Sequence, residues 1–595
     1  MRKVTKNSKK IERPSQKAVK LLFSVISICI IISQISIFTT NFYIFLNSFF
    51  IFSSISKMKT EKTGVNGNKG HFPAFYFQKI LAFMVRLGGF YCVSLYRLSV
   101  SLYNKEDMKG RETMWKDAIE MREAVASGEV SPKELVQETL DKIEQRNPSL
   151  NAVVHLQAER ALEEAEARSF EGLPFGGVPL LLKDLGQNQA GEPSSAGSKL
   201  LKGIPVGRTD NFVKRLEAAG FIIVGRTNTP EFGFKNMTEP ELWGPANNPY
   251  DLNRNAGGSS GGAASAVAGG IVPIAGASDG GGSIRIPASF TGLIGLKPSR
   301  GRIPVGPGSY RGWQGASVNF AMTKTVRDTR ELLKWMQVEQ KDSPFLTPLI
   351  KDWDTLPNRP LRVGVIEKSP IESVVAPEAK EALRKAVNFL EGIGCVVEPI
   401  GWPVDGVEVM KNYYVMNSVE TSAMFQGMEA SFGRKFTKDD MELMTWGIYQ
   451  SGERILAKDY SAALSKWDTY AHAMEKVHEQ YDLILTPSVS DVAPLHTQFP
   501  MEEAVRHALE HMDELSVPEQ QSVIWRMFDR TLALTPFTQL SNITGAPAIS
   551  LPVYLTEKGL PIGVQFMAAR GQEELLLTVA EWFEREGQFE TRDFS

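Results

Sequence analysis

Residues 257–301 hold 13 of the chain's 50 glycines, in the run GGSSGGAASAVAGGIVPIAGASDGGGSIRIPASFTGLIGLKPSRG. Glycine is needed where φ is positive or where backbone must come close to another group, because a Cβ collides in both settings. A flexible glycine loop would be polar throughout. Here apolar and β-branched residues such as Val267, Ile271, Val272, Ile284 and Ile286 lie between and after the clusters, so the segment reads as packed. Serines sit in both glycine clusters: Ser259 and Ser260 in the first, Ser283 in the second. A serine flanked by consecutive backbone N–H groups is the layout of a nucleophile beside an oxyanion hole.

Around this centre, short apolar runs alternate with helical patterns. Strands are expected at Val178–Leu182, Phe221–Val224, Leu361–Val365, Cys395–Pro399, Leu483–Leu485, Ala548–Val553 and Ile562–Met567. Helices are expected at Thr209–Ala219, Pro377–Gly392, Ala462–Tyr481 and Gln572–Glu584, and the whole of Ala118–Ala167 is helical in pattern. Within it, Ser131-Pro132-Lys133-Glu134 forms an N-cap with Pro at the first helical position and Glu at the third. The alternation argues for an α/β sheet covered by helices. Residues 404–445, rich in Met, Tyr and Phe, read as a core helix.

Three catalytic patterns compete for the serines. Gly257-x-Ser259-x-Gly261 matches a nucleophile elbow, but NNPYDLNRNA before it is polar and turn-like, where an elbow needs a buried strand. Of the seven histidines, none has a local context that suits a triad. His507-Ala508-Leu509-Glu510-His511 matches H-x-x-E-H, yet its surroundings, EEAVRHALEHMDEL, read as a solvated amphipathic helix, so no metal is expected. The third pattern is a serine–lysine system. A lysine base must be neutral, hence buried or beside another cation. Lys183, at the end of the apolar run GVPLLLKD, is placed for that role.

The N-terminal region is of another kind. Residues 2–20 carry eight Lys and Arg, and Leu21–Ser56 then runs 36 residues without a charge. About 20 apolar residues cross a bilayer as a helix, so residues 1–57 read as a basic N-terminus followed by a membrane segment, as one span or a hairpin divided at Thr39–Asn41. For a single crossing, the positive-inside rule places the N-terminus in the cytoplasm and the rest across the membrane. The Lys, Ile, Phe and Asn bias of this region also fits a true start at Met58. Residues 58–104 read as a linker and an interfacial helix, with Lys79, Arg86 and Arg97 on one stripe of an otherwise apolar surface. The catalytic domain is then 105–595.

Together Lys183, the double serine and the Gly-Gly-Ser run carry a resemblance. With GRTNTPEFG (225–233), YDLILTPS (481–488), NITGAPAISLPV and GLPIGVQ, the chain resembles the amidase signature family of serine hydrolases over residues 110–590. The membrane segment and the Ser-Ile-Arg-Ile-Pro-Ala run look most like the animal fatty-acid amide hydrolases of the type 2 group. The resemblance implies an amidase signature α/β fold, a twisted mixed central β-sheet covered by α-helices, with N-terminal membrane segments. It implies Ser283 as nucleophile, Ser259 as bridging serine after a cis peptide bond, and Lys183 as general base. It also implies an oxyanion hole of backbone N–H groups from Gly280, Gly281, Gly282 and Ser283, with Ser260, Asp279 and Arg285 in support. Gly280 departs from the Ile of many relatives. No cofactor is implied. The implied partners are a fatty-acid amide or other amide substrate, a lipid membrane and a second copy of the chain; the implied address is an endomembrane, with the side of the domain left open. Asn236 and Asn542 lie in glycosylation sequons.

Composition removes other classes. Lys+Arg is 66 and Asp+Glu is 68, a net charge of -2, so no global field attracts nucleic acid. The family's transamidation role on charged transfer RNA needs partner subunits and does not explain the membrane segment. The three cysteines, Cys29, Cys92 and Cys395, are too few and too far apart for a disulfide scaffold or a cysteine-ligated zinc. The readings left are a fatty-acid amide hydrolase, a small-amide amidase of the same family, and a non-catalytic protein on this fold.

Overall fold

In the computed structural model, which describes residues 115–353 and 356–594, eleven short strands pair into one mixed sheet. The strands of the described chain are β1 Val153–Leu156, β2 Pro179–Lys183, β3 Ile222–Thr227, β4 Asn247–Asn248, β5 Asp251–Asn255, β6 Ile274–Asp279, β7 Ile294–Lys297, β8 Val318–Thr323, β9 Arg362–Val365, β10 Val396–Pro399, β11 Leu483–Pro487, β12 Ala548–Leu555 and β13 Pro561–Ala568. The sheet order is β1-β3-β2-β6-β8-β7-β12-β13-β11-β9-β10, with β4 and β5 forming a separate hairpin. β3, β2 and β6 run parallel, as do β11, β9 and β10, while antiparallel pairs join the two sets. The interior strands β2, β3, β7, β11 and β13 are buried along their whole length, as expected of strands covered on both faces.

The expected strands lie within a few residues of those observed. β6, β7 and β8 were not foreseen. β6 reads Ile-Ala-Gly-Ala-Ser-Asp, weak in β-branched residues, and is held by an unbroken antiparallel register with β8 from Ile274↔Thr323 to Asp279↔Val318. The expected helix over Ala118–Ala167 is corrected. It is α1 (Ala118–Ser127), α2 (Pro132–Leu150) and α3 (Ala158–Ala167), with β1 between the last two. Asn151 ends α2 in a left-handed conformation at φ 47°, and the following Val153–Leu156 pairs with β3 instead. The capping box at Ser131 and Glu134 forms as expected.

Two helices position the site: α4 (Gly261–Ala268) and α5 (Arg285–Thr291), each with every residue buried. Their small residues permit this. A Cβ on Gly262 would lie 2.3 Å from the backbone nitrogen of Asn228, so α4 can rest on the end of β3 only without one. Of the Met- and Tyr-rich stretch 404–445, α6 (Gly406–Phe432) is a core helix as expected, burying Tyr413, Met416, Thr421 and Phe425 among others, while the rest is a 3₁₀ turn at Lys438–Asp440 and the start of the helix Leu443–Gly452. The expected membrane segments of 1–57 and 58–104 lie outside the described residues. Among the described residues no helix is long and apolar enough to cross a membrane.

Gly262→Ala is expected to cost about 1–3 kcal/mol, the usual range for overpacking a tight core. Thermal unfolding of the variant checks this as a lowered melting temperature.

Candidate active site

Lys183 ends β2 and is fully buried. Its Nζ lies 2.8 Å from Ser259 Oγ and 3.0 Å from Ser278 Oγ. Burial drives the Lys183 amine down to about 7, against the opposing pull of the Asp279 carboxylate. The cause is desolvation, which disfavours the ammonium form. The backbone at Lys183 is held from two sides. Its N–H donates to Gln187 Oε1 at 2.8 Å, and its carbonyl accepts from the Arg226 guanidinium at 3.2 Å.

Ser259 sits in the turn before α4, after a cis peptide bond from Gly258. A Cβ on Gly233 would come within 3.2 Å of Ser259 Oγ, and one on Gly258 within 2.6 Å of the Met237 nitrogen. Gly233 leaves room beside the Ser259 hydroxyl and the Leu185 side chain, and Gly258 lets the turn lie close on the Asn236–Met237 backbone. Ser260 points the other way: its hydroxyl donates to the Ser278 carbonyl at 3.1 Å and accepts from the Ser278 N–H at 3.3 Å. It thereby fixes the end of β6 against the start of α4.

The loop from Asp279 to Arg285 is frozen by an ion pair. The Arg285 guanidinium donates to both carboxylate oxygens of Asp279, at 2.9 and 2.8 Å, and both side chains are fully buried. Burial alone would raise the Asp279 carboxyl, but the Arg285 charge and hydrogen bonds outweigh it and hold the group well below the usual carboxylate range. Arg285 also donates to the Thr538 carbonyl (2.7 Å), Ser541 Oγ (2.8 Å), Gln565 Oε1 (2.6 Å) and Asn542 Oδ1 (2.7 Å). The Asn542 amide donates to Asp279 Oδ1 at 2.8 Å. Asn542 is thus buried inside this network, unavailable as a glycan acceptor, and Asn236 donates to Thr535 Oγ1 at 2.7 Å.

One expectation about the loop is revised. The Gly282 N–H is donated to Asp279 Oδ1 at 2.7 Å, with Gly282 at φ 125°, so it serves the loop's own architecture. The N–H groups of Gly280, Gly281 and Ser283 have no acceptor among the described residues. The loop's carbonyls are turned away and held: Gly280 O accepts from Tyr413 Oη at 3.0 Å and Gly281 O from Thr538 Oγ1 at 2.7 Å. Ser283 is largely buried, and its hydroxyl has no hydrogen-bond partner among the described residues. None of the described histidines hydrogen-bonds to Ser259 or Ser283. His507, Glu510 and His511 have donor atoms within 4.8 Å of one another, on an exposed helix end.

Several members of the site escaped the sequence reading. Ser278 is the second hydroxyl on Lys183. Asn542 and Gln565 lay inside motifs that the sequence displays, NITGAP and GLPIGVQ, but nothing local marks them as partners of Arg285. Lys297 is a second fully buried lysine, brought down to about 7 by burial and by the Arg285 charge, with its Nζ on the Pro298 carbonyl at 2.9 Å.

A family model described as amidase matches residues 134–577. The chain belongs to the amidase signature family. This amidase is 39% identical over 467 residues to a lipoamidase of Enterococcus faecalis, covering 78% of this chain and 63% of that protein, so it spans under two thirds of that relative. It is 34% identical over 486 residues to the 6-aminohexanoate-cyclic-dimer hydrolase of Paenarthrobacter ureafaciens, covering 79% of this chain and 94% of that one. The solved structure of a 6-aminohexanoate cyclic dimer hydrolase with substrate matches at a TM-score of 0.72 and 33% identity, over 80% of this chain and 98% of the other. A bacterial aryl acylamidase matches at 0.70 and 29% identity, over 80% and 97%. The protein is therefore an amidase-family hydrolase acting on amides. None of these relatives is named a fatty-acid amide hydrolase, and the expected type 2 placement is reduced to membership of the family.

Asp279→Asn removes one charge of a buried pair and strands the Arg285 guanidinium. The expected loss is about 3–5 kcal/mol of stability, seen as a large fall in melting temperature. Breaking the exposed Lys334–Glu331 pair should leave that temperature unchanged.

Proposed function

We propose that this amidase hydrolyses linear aliphatic amides through Ser283, with Ser259 and Lys183 as its proton relay. The observation that carries the reading is the fully buried Lys183 Nζ at 2.8 Å from Ser259 Oγ. Its largely desolvated amine is brought near neutrality, which a base acting at ordinary pH requires.

Neutral Lys183 takes the proton of Ser259, which takes that of Ser283, as Ser283 Oγ bonds to the amide carbon. The carbonyl oxygen becomes an oxyanion held by the N–H groups of Gly280, Gly281 and Ser283. Removing one such donor typically costs about 100–1000-fold in rate. The proton returns through Ser259 to the amine nitrogen as the C–N bond breaks, since an unprotonated amide nitrogen leaves poorly. Water, deprotonated by the same relay, then attacks the acyl-Ser283 ester, releasing the acid and restoring the serine.

The aliphatic preference rests on a cavity near the Ser259 turn. Met237, Met444, Phe499, Met501 and Phe528 line it together with the charged Lys235, Glu239, Glu502, Arg526 and Arg530, and the backbone of its lining residues Asn236 and Met237 packs on Gly258. Methionine-rich walls adapt to flexible chains. The name 6-aminohexanoate-cyclic-dimer hydrolase describes a relative whose substrate is aliphatic, though cyclic and not linear. A fatty-acid amide is the long-chain extreme of the linear aliphatic amides, and the uncharged run of residues 21–56 would hold the enzyme at a membrane where such substrates reside.

Ser283→Ala should abolish turnover. Lys183→Ala should lower it by orders of magnitude, most severely above pH about 7, where the wild-type amine is neutral. In the wild type, protonation removes the base, so kcat/KM should rise with pH through about 7 and then level off. Wild-type rates in either variant would overturn the mechanism. Each buried CH₂ contributes about 0.8 kcal/mol, so kcat/KM over primary amides should rise roughly tenfold per two carbons until the cavity is full. A rise that stops at short acyl groups gives a small-amide amidase, and one that continues to long chains gives a fatty-acid amide hydrolase.

A further inference from the structure

Gly280 is not in the left-handed region, so its backbone would accept a side chain. What forbids one is Trp313: a Cβ on Gly280 would lie 2.7 Å from Trp313 Cζ3 and 2.8 Å from Cε3, closer than packed atoms come. The next neighbour, Ser317 Cβ, is at 3.6 Å, an ordinary contact. The indole therefore fills the space that a residue-280 side chain would take, beside the loop whose N–H groups serve as oxyanion donors in the proposed mechanism. It is half-buried and keeps part of its surface open.

The indole is held there against backbone strain. Trp313 and Gln314 sit at φ 50° and 53°, two consecutive left-handed residues neither of which is glycine. Such conformations cost about 1–3 kcal/mol each and persist where the surroundings enforce them. Gln314 Nε2 donates to Glu420 Oε1 at 2.8 Å, Arg300 Nε to the Gly315 carbonyl at 3.0 Å, and the Asn542 amide to the Ala316 carbonyl at 3.0 Å. Asn542 is the residue that also holds Asp279, so the Trp313 turn and the oxyanion loop share one anchor.

Two further rings pack on the indole. Trp313 stacks on Phe234 with centroids 6.0 Å apart and planes 6° from parallel, and meets the edge of Tyr413 at 6.2 Å. Phe234 directly follows Gly233, where a Cβ would lie 2.6 Å from Leu185 Cδ2 and 3.2 Å from Ser259 Oγ. The aromatic pair thus links the surroundings of Ser259 to those of Gly280. A substrate carbonyl bound at the loop would set its acyl substituents beside this pair.

We infer that Trp313, seated in the space left by Gly280, is a specificity-determining residue of this amidase: it admits acyl groups that are unbranched next to the carbonyl and excludes branched ones. This rests on the amidase reading given under the proposed function. The step concerned is acylation of Ser283, with no new chemistry.

The test compares wild type, W313A, W313F, G280I and G280I/W313A on hexanoyl and pivaloyl p-nitroanilide. Fluorophosphonate labelling counts folded, reactive sites in each preparation. One methylene in an apolar pocket is worth about 10–200-fold in discrimination. W313A should therefore lower the hexanoyl-to-pivaloyl ratio of kcat/KM by about tenfold or more, carried by a gain on pivaloyl. W313F, which keeps a ring over Gly280, should hold the ratio near the wild-type value. G280I should lose activity per labelled site, and adding W313A should restore part of it. An unchanged ratio in W313A, or a double variant no better than G280I, overturns the inference while leaving the amidase intact. A wild type that neither labels nor cleaves either anilide overturns the amidase reading, and the inference with it.

Discussion

The buried pair of Asp279 and Arg285 is the interaction on which the rest of the site depends. A charge pair sealed from water is costly unless every remaining donor and acceptor is used. Here they are used. Arg285 reaches the Thr538 carbonyl, Ser541, Asn542 and Gln565, while Asp279 takes the N–H groups of Gly282 and Ile284 and the Asn542 amide. These partners come from distant parts of the chain, so the pair ties β6 and α5 to the C-terminal segment and to β13. The glycine loop between the two charges inherits their rigidity. Its free N–H groups are aimed by bonds that none of them makes.

Rigidity at the loop is matched by desolvation at Lys183, the base of the proposed relay. Lys183 has hydroxyls, not a carboxylate, against its amine, so nothing beside it compensates a full charge. Asp279 acts on it from further away and is already neutralised by Arg285. Burial therefore wins, and the amine titrates near neutrality. A direct carboxylate partner in place of Ser278 would have restored the ammonium ion and removed the base.

The sequence made much of this legible, for identifiable reasons. Lys183, Ser259 and Ser283 were readable because chemistry confines them to short motifs rich in glycine, and the glycines are dictated by backbone contacts such as Gly258 on Met237. The α/β alternation was readable from apolar runs like Val363–Val365 and Ile562–Met567. β6 was hidden because Ala, Gly and Ser carry little strand preference, and only its pairing with β8 makes it a strand. β1 was hidden because four residues cannot outweigh the helical pattern around them. The C-terminal partners of Arg285, namely Thr538, Ser541, Asn542 and Gln565, were hidden because each lies more than 250 positions away. The Gly282 N–H could be assigned to Asp279 only once the loop's path was known. Trp313 has no motif at all, and its position follows from a glycine 33 positions earlier.

The central claim is that a neutral, buried Lys183 activates Ser283 through Ser259. It is tested most directly by the rate of fluorophosphonate labelling as a function of pH, with the labelled peptide mapped. The account predicts a single adduct on Ser283, formed at a rate that rises through pH about 7 to a plateau, with Lys183→Ala abolishing the rise. An adduct on another residue, or a rate on Ser283 indifferent both to pH and to Lys183, would contradict it.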